Sequence, residues 1–241
     1  MQITGKNKIP MTDDKQLAHR HGSWLIRSRE GVTGRKMPHN PYMFEAVNLQ
    51  GLLYTLPELE REFPEIFENP TLPLVLEVGC YLGHTVMELA EYNPGINVLG
   101  LDIKYKRVVK SVRKIKRARL PNAKIALCDV MELLPILPGH SVYGMFIFFP
   151  DPWIKDRHEK HRYLKEHFFD LACSRLAAGG FIWLKTDQKK YFDEITTTAQ
   201  QYNFKVIDRL PGKIAQREYR TLFENTFTDK KIPFYQVILS R

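Results

Sequence analysis

Five times along this chain an apolar run of strand length ends on an acid or just before one. The runs are 72–78 with Glu77, 97–102 with Asp102, 124–129 with Asp129, 142–149 followed by Asp151, and 181–186 followed by Asp187. Between them, apolar residues recur every three or four positions, as at Val108, Val112 and Ile115, the spacing of one helical face. Alternation of this kind predicts an α/β fold: a mostly parallel sheet with helices on both faces. Helices are expected over 84–92, 104–119, 161–176 and 191–202. Two further strands at 204–208 and 234–239 bring the strand total to seven. Residues 41–67 read as mixed and helical, interrupted by Pro57 and Pro64. Parallel sheets bind ligands in the crevice outside the carboxyl ends of their strands. Any one of the five acids serves equally as a helix N-cap or a turn residue. Five on one rim predict a site that grips hydroxyl, amine or cationic groups.

The first acid sits in Leu76-Glu77-Val78-Gly79-Cys80-Tyr81-Leu82-Gly83-His84-Thr85, a strand, a turn with two glycines and a helix start. Gly79 and Gly83 allow positive φ and close approach of a ligand to the backbone. The spacing is G-x-x-x-G, not the dinucleotide pattern G-x-G-x-x-G. Glu77 would repel a pyrophosphate but not an ammonium or a sulfonium, which makes an NAD-linked dehydrogenase remote. Asp102, at the end of the next strand, stands where a carboxylate accepts from both ribose hydroxyls. A nucleoside joined to an amino acid, S-adenosylmethionine, satisfies both acids, and Asp129 is placed to accept from its adenine amino group.

Charge points to a second partner. Residues 1–40 hold eight basic and three acidic residues, and residues 103–119 hold nine basic residues and no acid, in a chain of net charge +9. Two concentrated basic regions on an otherwise slightly acidic body predict a polyanionic partner, since Lys and Arg neutralise phosphates and release counterions. The competing account is a solvated helix face and a polar tail. The densest chemistry lies in Phe148-Phe149-Pro150-Asp151-Pro152-Trp153-Ile154-Lys155-Asp156-Arg157-His158-Glu159-Lys160-His161-Arg162. Two prolines clamp Asp151, so little entropy is lost in holding that carboxylate. Lys155 and its neighbouring cations can neutralise phosphate. His158 and His161 lack a third ligand at suitable spacing, so no metal is expected.

The block F-F-P-D-P-W-x-K-x-R-H-x-K-x-R resembles the signature of the tRNA (guanine-N7)-methyltransferases of the bacterial TrmB type. The likeness runs from about Leu74 to Glu224 and includes the acid–glycine loop, Asp102, Asp129, Thr186-Asp187 and Thr221-Leu222-Phe223-Glu224, which matches the family's T-x-F-E. The resemblance implies a Rossmann-like class I methyltransferase fold and methyl transfer from S-adenosylmethionine to guanine N7 in tRNA, at position 46 of the variable loop. It implies Glu77, Gly79, Gly83, Asp102, Asp129 and Asp151 as cofactor-binding residues. By chemistry and position Asp151 is the catalytic candidate, accepting from the guanine N1–H and amino group and favouring the cationic product, and Asp187 could do the same work from the neighbouring strand end. The resemblance places Lys155, Asp187, Thr221, Leu222, Phe223 and Glu224 on the target nucleotide. The chain departs from the family pattern at Tyr81, where the loop usually has a glycine, at Asp102, where a glutamate is usual, and at Asn225-Thr226-Phe227.

Residues 1–40 are expected as a flexible basic arm and 41–241 as a single methyltransferase domain, acting as a monomer without an obligate protein partner. No stretch approaches the roughly 18–20 apolar residues of a membrane span. Residues 1–14 hold no apolar core of a secretion signal. The cysteines, Cys80, Cys128 and Cys173, are odd in number and far apart, which favours a reducing cytoplasm. Two alternatives stay open: a divergent RNA-binding relative with altered target or lost catalysis, and an exocyclic-amine nucleic-acid methyltransferase, whose D-P-P-W lacks a match at the second proline.

Overall fold

The computed structural model describes residues 42, 45, 46, 49, 51–151 and 164–241. The apolar runs become strands β1 (Leu53–Thr55), β2 (Leu74–Val78), β3 (Asn97–Asp102), β4 (Ala123–Leu127), β5 (Val142–Phe148), β6 (Leu176–Thr186), β7 (Lys205–Ile207) and β8 (Tyr235–Ser240). They form one sheet in the order β1-β4-β3-β2-β5-β6-β8-β7. Neighbours from β1 through β6 run parallel, while β8 lies antiparallel to both β6 and β7.

The sheet has one strand more than the expected seven. The addition is β1, three buried residues that pair with β4 at Leu53↔Ile125 and Thr55↔Leu127. Three residues are too few to show a period of two, so β1 was hidden in a segment that reads as helical. Thr55 ends β1 and starts α1 (Leu56–Glu62), its N–H donating to Glu58 Oε2 at 2.8 Å. Pro57, which looks like a helix breaker, falls in the first turn of α1, where a missing N–H costs nothing.

Further helices are α2 (His84–Tyr92), α3 (Tyr105–Ala118), α4 (Val130–Leu133), α5 (Glu166–Arg175), α6 (Lys189–Gln201) and α7 (Leu222–Asp229). They cover both faces of the sheet. Leu59, Phe168, Phe169, Tyr191 and Ile195 pack with Leu76, Met145, Ile147 and Leu184 on one face. Val86, Leu89, Val108, Val112 and Ile115 pack with Val75, Phe146, Phe148 and Trp183 on the other. Alternate residues of β5 thus serve opposite faces, as a strand buried on both sides requires. The basic segment folds into α3, whose apolar stripe sits against the sheet while Lys106, Arg113, Lys116 and Arg117 are exposed.

Candidate active site

Strand order reverses beside β2, which has β3 on one side and β5 on the other. The crevice past the carboxyl ends of these strands is the place where an open α/β sheet takes a ligand. The loop after β2 enters it with three positive φ values: Gly79 at 76°, Tyr81 at 51° and Gly83 at 70°. Gly83 starts α2, and a Cβ there would lie 2.8 Å from the Ser111 Cβ of α3, so only glycine lets the two helices approach this closely. Tyr81 holds a left-handed conformation that costs a residue with a Cβ about 1–2 kcal/mol. Hydrogen bonds hold it there: its N–H donates to Asp102 Oδ2 at 3.2 Å and its carbonyl accepts from the Ser111 hydroxyl at 3.2 Å.

Glu77 and Asp102 are both buried. Burial pushes the Glu77 carboxyl up to about 8, although hydrogen bonds from Thr85 and the Val86 N–H favour the ionised form; Asp102 and Glu88 raise it further. Its Oε2 has no hydrogen-bond partner among the described residues. Asp102 is raised too, by burial, with Arg107 pulling the other way. It accepts from the Lys104 N–H at 2.9 Å and from Arg107 Nη1 at 3.3 Å. The Arg107 guanidinium also lies 4.9 Å from the centre of the Tyr81 ring. The acid at the end of β3 is therefore tied to the glycine loop and to the basic helix at once.

A cavity of about 30 Å³ lies between the loop and the start of α7, lined among others by Glu77, Gly79, Tyr81, Phe148, Thr221 and Phe223. The Tyr81 and Phe223 rings meet over it at 5.8 Å between centroids. Leu222 and Phe223 are 41% and 47% exposed, unusual for large apolar side chains at the mouth of a crevice. Phe223 continues into an aromatic group with Phe149 and Phe227.

The T-x-F-E segment is a helix start. The Thr221 hydroxyl accepts from the Glu224 N–H at 3.2 Å, and Glu224 Oε2 accepts from the Thr221 N–H at 2.6 Å. This is the reciprocal S/T-x-x-E cap, and it opens a helix where none is expected from the sequence. The other oxygen of Glu224, Oε1, accepts from Lys185 Nζ at 2.7 Å, and both side chains are buried. Lys185, Arg107 and Tyr81 are the residues that motif reasoning left without a role.

The other expected site residues are scattered along the rim. Asp129 caps α4, accepting from the Met131 N–H at 2.8 Å. Asp151 is exposed just past β5, after Phe149, whose φ of 51° turns the chain out of the sheet. Asp187 is half-buried and accepts from the Gln188 side-chain amide at 2.7 Å. None of these three is among the residues that line the cavity, and neither is Asp102. Lys155, with the rest of 152–163, and the arm 1–40 lie outside the described residues. Of the aromatics that the sequence offers as sheet core, Phe146, Phe148 and Trp183 are buried, while Phe149 is only partly buried. Among the described residues no group of three His, Cys, Asp or Glu is arranged to hold a metal. No helix among them is long and apolar enough to cross a membrane.

Residues 71–237 match a family model described as "Putative methyltransferase". A tRNA (guanine-N(7)-)-methyltransferase of Pasteurella multocida is 33% identical over 58% of this chain, a match that spans 55% of that relative's length. One from Alkaliphilus oremlandii is 33% identical over 76% of this chain and 88% of its own length. Among solved structures, a precorrin-6y C5,15-methyltransferase of Geobacter metallireducens superposes with a TM-score of 0.50 at 14% identity, over 88% of this chain and 96% of that one. That likeness concerns the fold, a Rossmann-like sheet. The acid–glycine loop at the switch point, the capped T-x-F-E helix beside it and the extent of these matches converge: the chain belongs to the tRNA (guanine-N7)-methyltransferase family of class I methyltransferases.

Proposed function

We propose that this chain transfers a methyl group from S-adenosylmethionine to N7 of a guanine in tRNA, at position 46 of the variable loop. The observation that carries the proposal is the pair of buried acids, Glu77 and Asp102, at the ends of adjacent parallel strands around a glycine turn, with one oxygen of Glu77 unpartnered among the described residues. A buried carboxyl oxygen without a partner is costly unless a ligand supplies one, and the cationic methionyl end of the cofactor supplies it. Asp102 takes the ribose hydroxyls once Arg107 releases it, and Asp129 stands at the end of the next strand for the adenine. Gly79 and Gly83 give backbone access. The donor set fits the cofactor, but a cavity of about 30 Å³ does not yet hold it; sites for ligands of this size occupy roughly 300–1,000 Å³. Binding therefore requires Tyr81 and Phe223 to part.

The bound cofactor supplies a methyl group on a sulfonium, already electrophilic. Guanine N7 carries an in-plane lone pair and no proton, so no residue has to act as a base. What remains for the protein is orientation and charge. Asp151 accepts from the guanine N1–H and amino group, which fixes the ring and favours the cation that forms on it. Asp187, Thr221, Leu222 and Phe223 line the approach of the nucleotide, Lys155 neutralises its phosphate, and the exposed cations of α3 with the arm 1–40 hold the tRNA body. The protein works in the cytoplasm, where tRNA is.

The titration of Glu77 gives one expected result. With its carboxyl raised to about 8, the free protein is protonated there at neutral pH, and a cationic ligand must expel that proton. Cofactor affinity accordingly rises with pH between about 6 and 8, by up to about tenfold per unit, and levels off above. Calorimetry in buffers of different ionisation enthalpy should count close to one proton released near pH 7, and Glu77→Gln should abolish the release. The same shift acts on stability with the opposite sense: the contribution is complete below the ordinary carboxylate range and declines as pH rises towards 8.

A second expected result concerns Tyr81. Replacing it with glycine removes the strained conformation and the ring that meets Phe223, so the crevice opens at lower cost. The Tyr81→Gly protein should bind the cofactor about tenfold more tightly, since about 1.4 kcal/mol is tenfold; a weaker dissociation constant would show that the ring serves the ligand instead.

The closed crevice also favours one rival, an RNA-binding relative that keeps the fold without turnover. Incubation with unmodified tRNA and labelled cofactor, followed by chemical cleavage at 7-methylguanosine, decides between them. Label at a single guanine of the variable loop supports methyl transfer; no label and no heat with the cofactor supports the rival.

A further inference from the structure

We propose that Lys185 and Glu224 are a positioning pair that fixes the Thr221–Phe223 wall of the crevice, and that Glu224 acts through Thr221 rather than by touching the target nucleotide. This rests on the function proposed above and assigns a new role within the same site. Lys185 is the second-last residue of β6, two positions before Asp187, and its side chain is 1% exposed. The ammonium donates to the Tyr219 carbonyl at 2.8 Å and to Glu224 Oε1 at 2.7 Å, and lies 4.5 Å and 4.7 Å from the Phe148 and Trp183 ring centres. Two of its three donors thus grip the segment that leads into α7, at both ends of the stretch 219–224. Glu224 passes the constraint on: while Oε1 holds Lys185, Oε2 holds the Thr221 N–H.

Both carboxylate oxygens of Glu224 are therefore engaged inside the protein, and the residue is 3% exposed. It has little capacity to read a base, whereas Thr221, Leu222 and Phe223 face the cavity and are partly or largely exposed. The pair carries a cost. Burial lowers the affinity of Lys185 for its proton, and Glu224 acts against that. Buried ion pairs add little net stability over apolar residues of similar volume, so their value lies in geometry. Here the geometry ties the end of β6, next to Asp187, to the residues that face it across the crevice.

A double-mutant cycle tests this, with variants Lys185→Met, Glu224→Gln and the double variant Lys185→Met/Glu224→Gln, the last removing both buried charges so that the fold survives even where a single change destabilises it. In single-site assays, each change should raise the KM for tRNA about tenfold with a smaller effect on kcat, and the double variant should be no worse than the worse single. Effects that multiply would mean that Glu224 meets the nucleotide independently of Lys185 and would overturn the proposal, as would wild-type KM in a double variant that melts like the wild type. Hydrogen exchange reads the same clamp without turnover. The amides of 221–224 should exchange about tenfold faster in the double variant while those of β5 stay protected, and unchanged exchange overturns the pair. A wild-type protein that binds tRNA without methylating it counts against the function proposed above, and leaves the exchange result to decide on the pair.

Discussion

Replacing Asp151 with alanine is expected to lower methyl transfer about a hundredfold or more while tRNA binding stays close to that of the wild type. The carboxylate stands exposed at the end of β5, past the turn at Phe149, where the N–H of Phe149 donates to the Lys185 carbonyl at 2.7 Å and fixes the strand end. Pro150 and Pro152 flank it in sequence and restrict the backbone before any ligand arrives. A negative charge held in advance beside a purine that becomes cationic favours the transition state over the ground state, which is the condition for raising kcat. Losing one preorganised electrostatic group of this kind costs about 10²–10³ in kcat. Asp151→Asn separates the contributions, because the amide keeps an acceptor for the guanine N1–H but not the charge; it should recover part of the rate and not all of it. Binding should hold because Asp151 is an acid approaching a polyanion and gives no affinity to the RNA body. An undiminished rate in Asp151→Ala, measured in single turnover, would remove the residue from the chemistry.

Reversal of three cations on α3, Lys106→Glu, Lys110→Glu and Arg117→Glu together, is expected to weaken tRNA binding on the order of a hundredfold, taking about 1 kcal/mol for each ion pair with phosphate that is removed. These residues stand at i, i+4 and i+11 on the stripe opposite Val108, Val112 and Ile115, so the change leaves the buried face of the helix intact. Arg113 is spared because it is paired with Glu45. Salt is the more telling readout. Each phosphate left without its cation should flatten the slope of log K against log salt by about 0.9, so the mutant's affinity falls less steeply as salt rises. Cofactor binding measured alone should be unchanged. A solvated face with no partner would give the same slope before and after, with only a uniform shift from net charge.

How much of this was legible beforehand differs from element to element. The β2–α2 unit, α3 and β5 were readable because each carries a long, regular signal: an apolar run ending at a glycine turn, a helical stripe, a seven-residue apolar strand covered on both faces. β1 was not, since three residues hold no period and take their conformation from pairing with β4. α7 was readable in principle from Thr221 and Glu224, whose spacing is that of a capping box, although the same four residues also match a functional motif. The rim acids were found as a set, and their division was not: Glu77 alone of the five lines the cavity, Asp102 is tied to its wall through the Tyr81 N–H, Asp129 caps a helix, and Asp151 and Asp187 stand outside the wall.

The order of apolar runs, helical stripes and glycine turns, all local properties, determined by itself that this chain builds a parallel sheet with a rim of carboxylates and a basic helix beside it. The tertiary structure alone decided what those groups face: Arg107 on Asp102 and over Tyr81, Tyr81 against Phe223 across a nearly closed crevice, and Lys185 on Glu224, 39 residues further along the chain. Periodicity reports which side of an element is buried. It is silent on which distant side chain will meet a given charge, because that partner is selected by how the strands cross and how closely the helices pack.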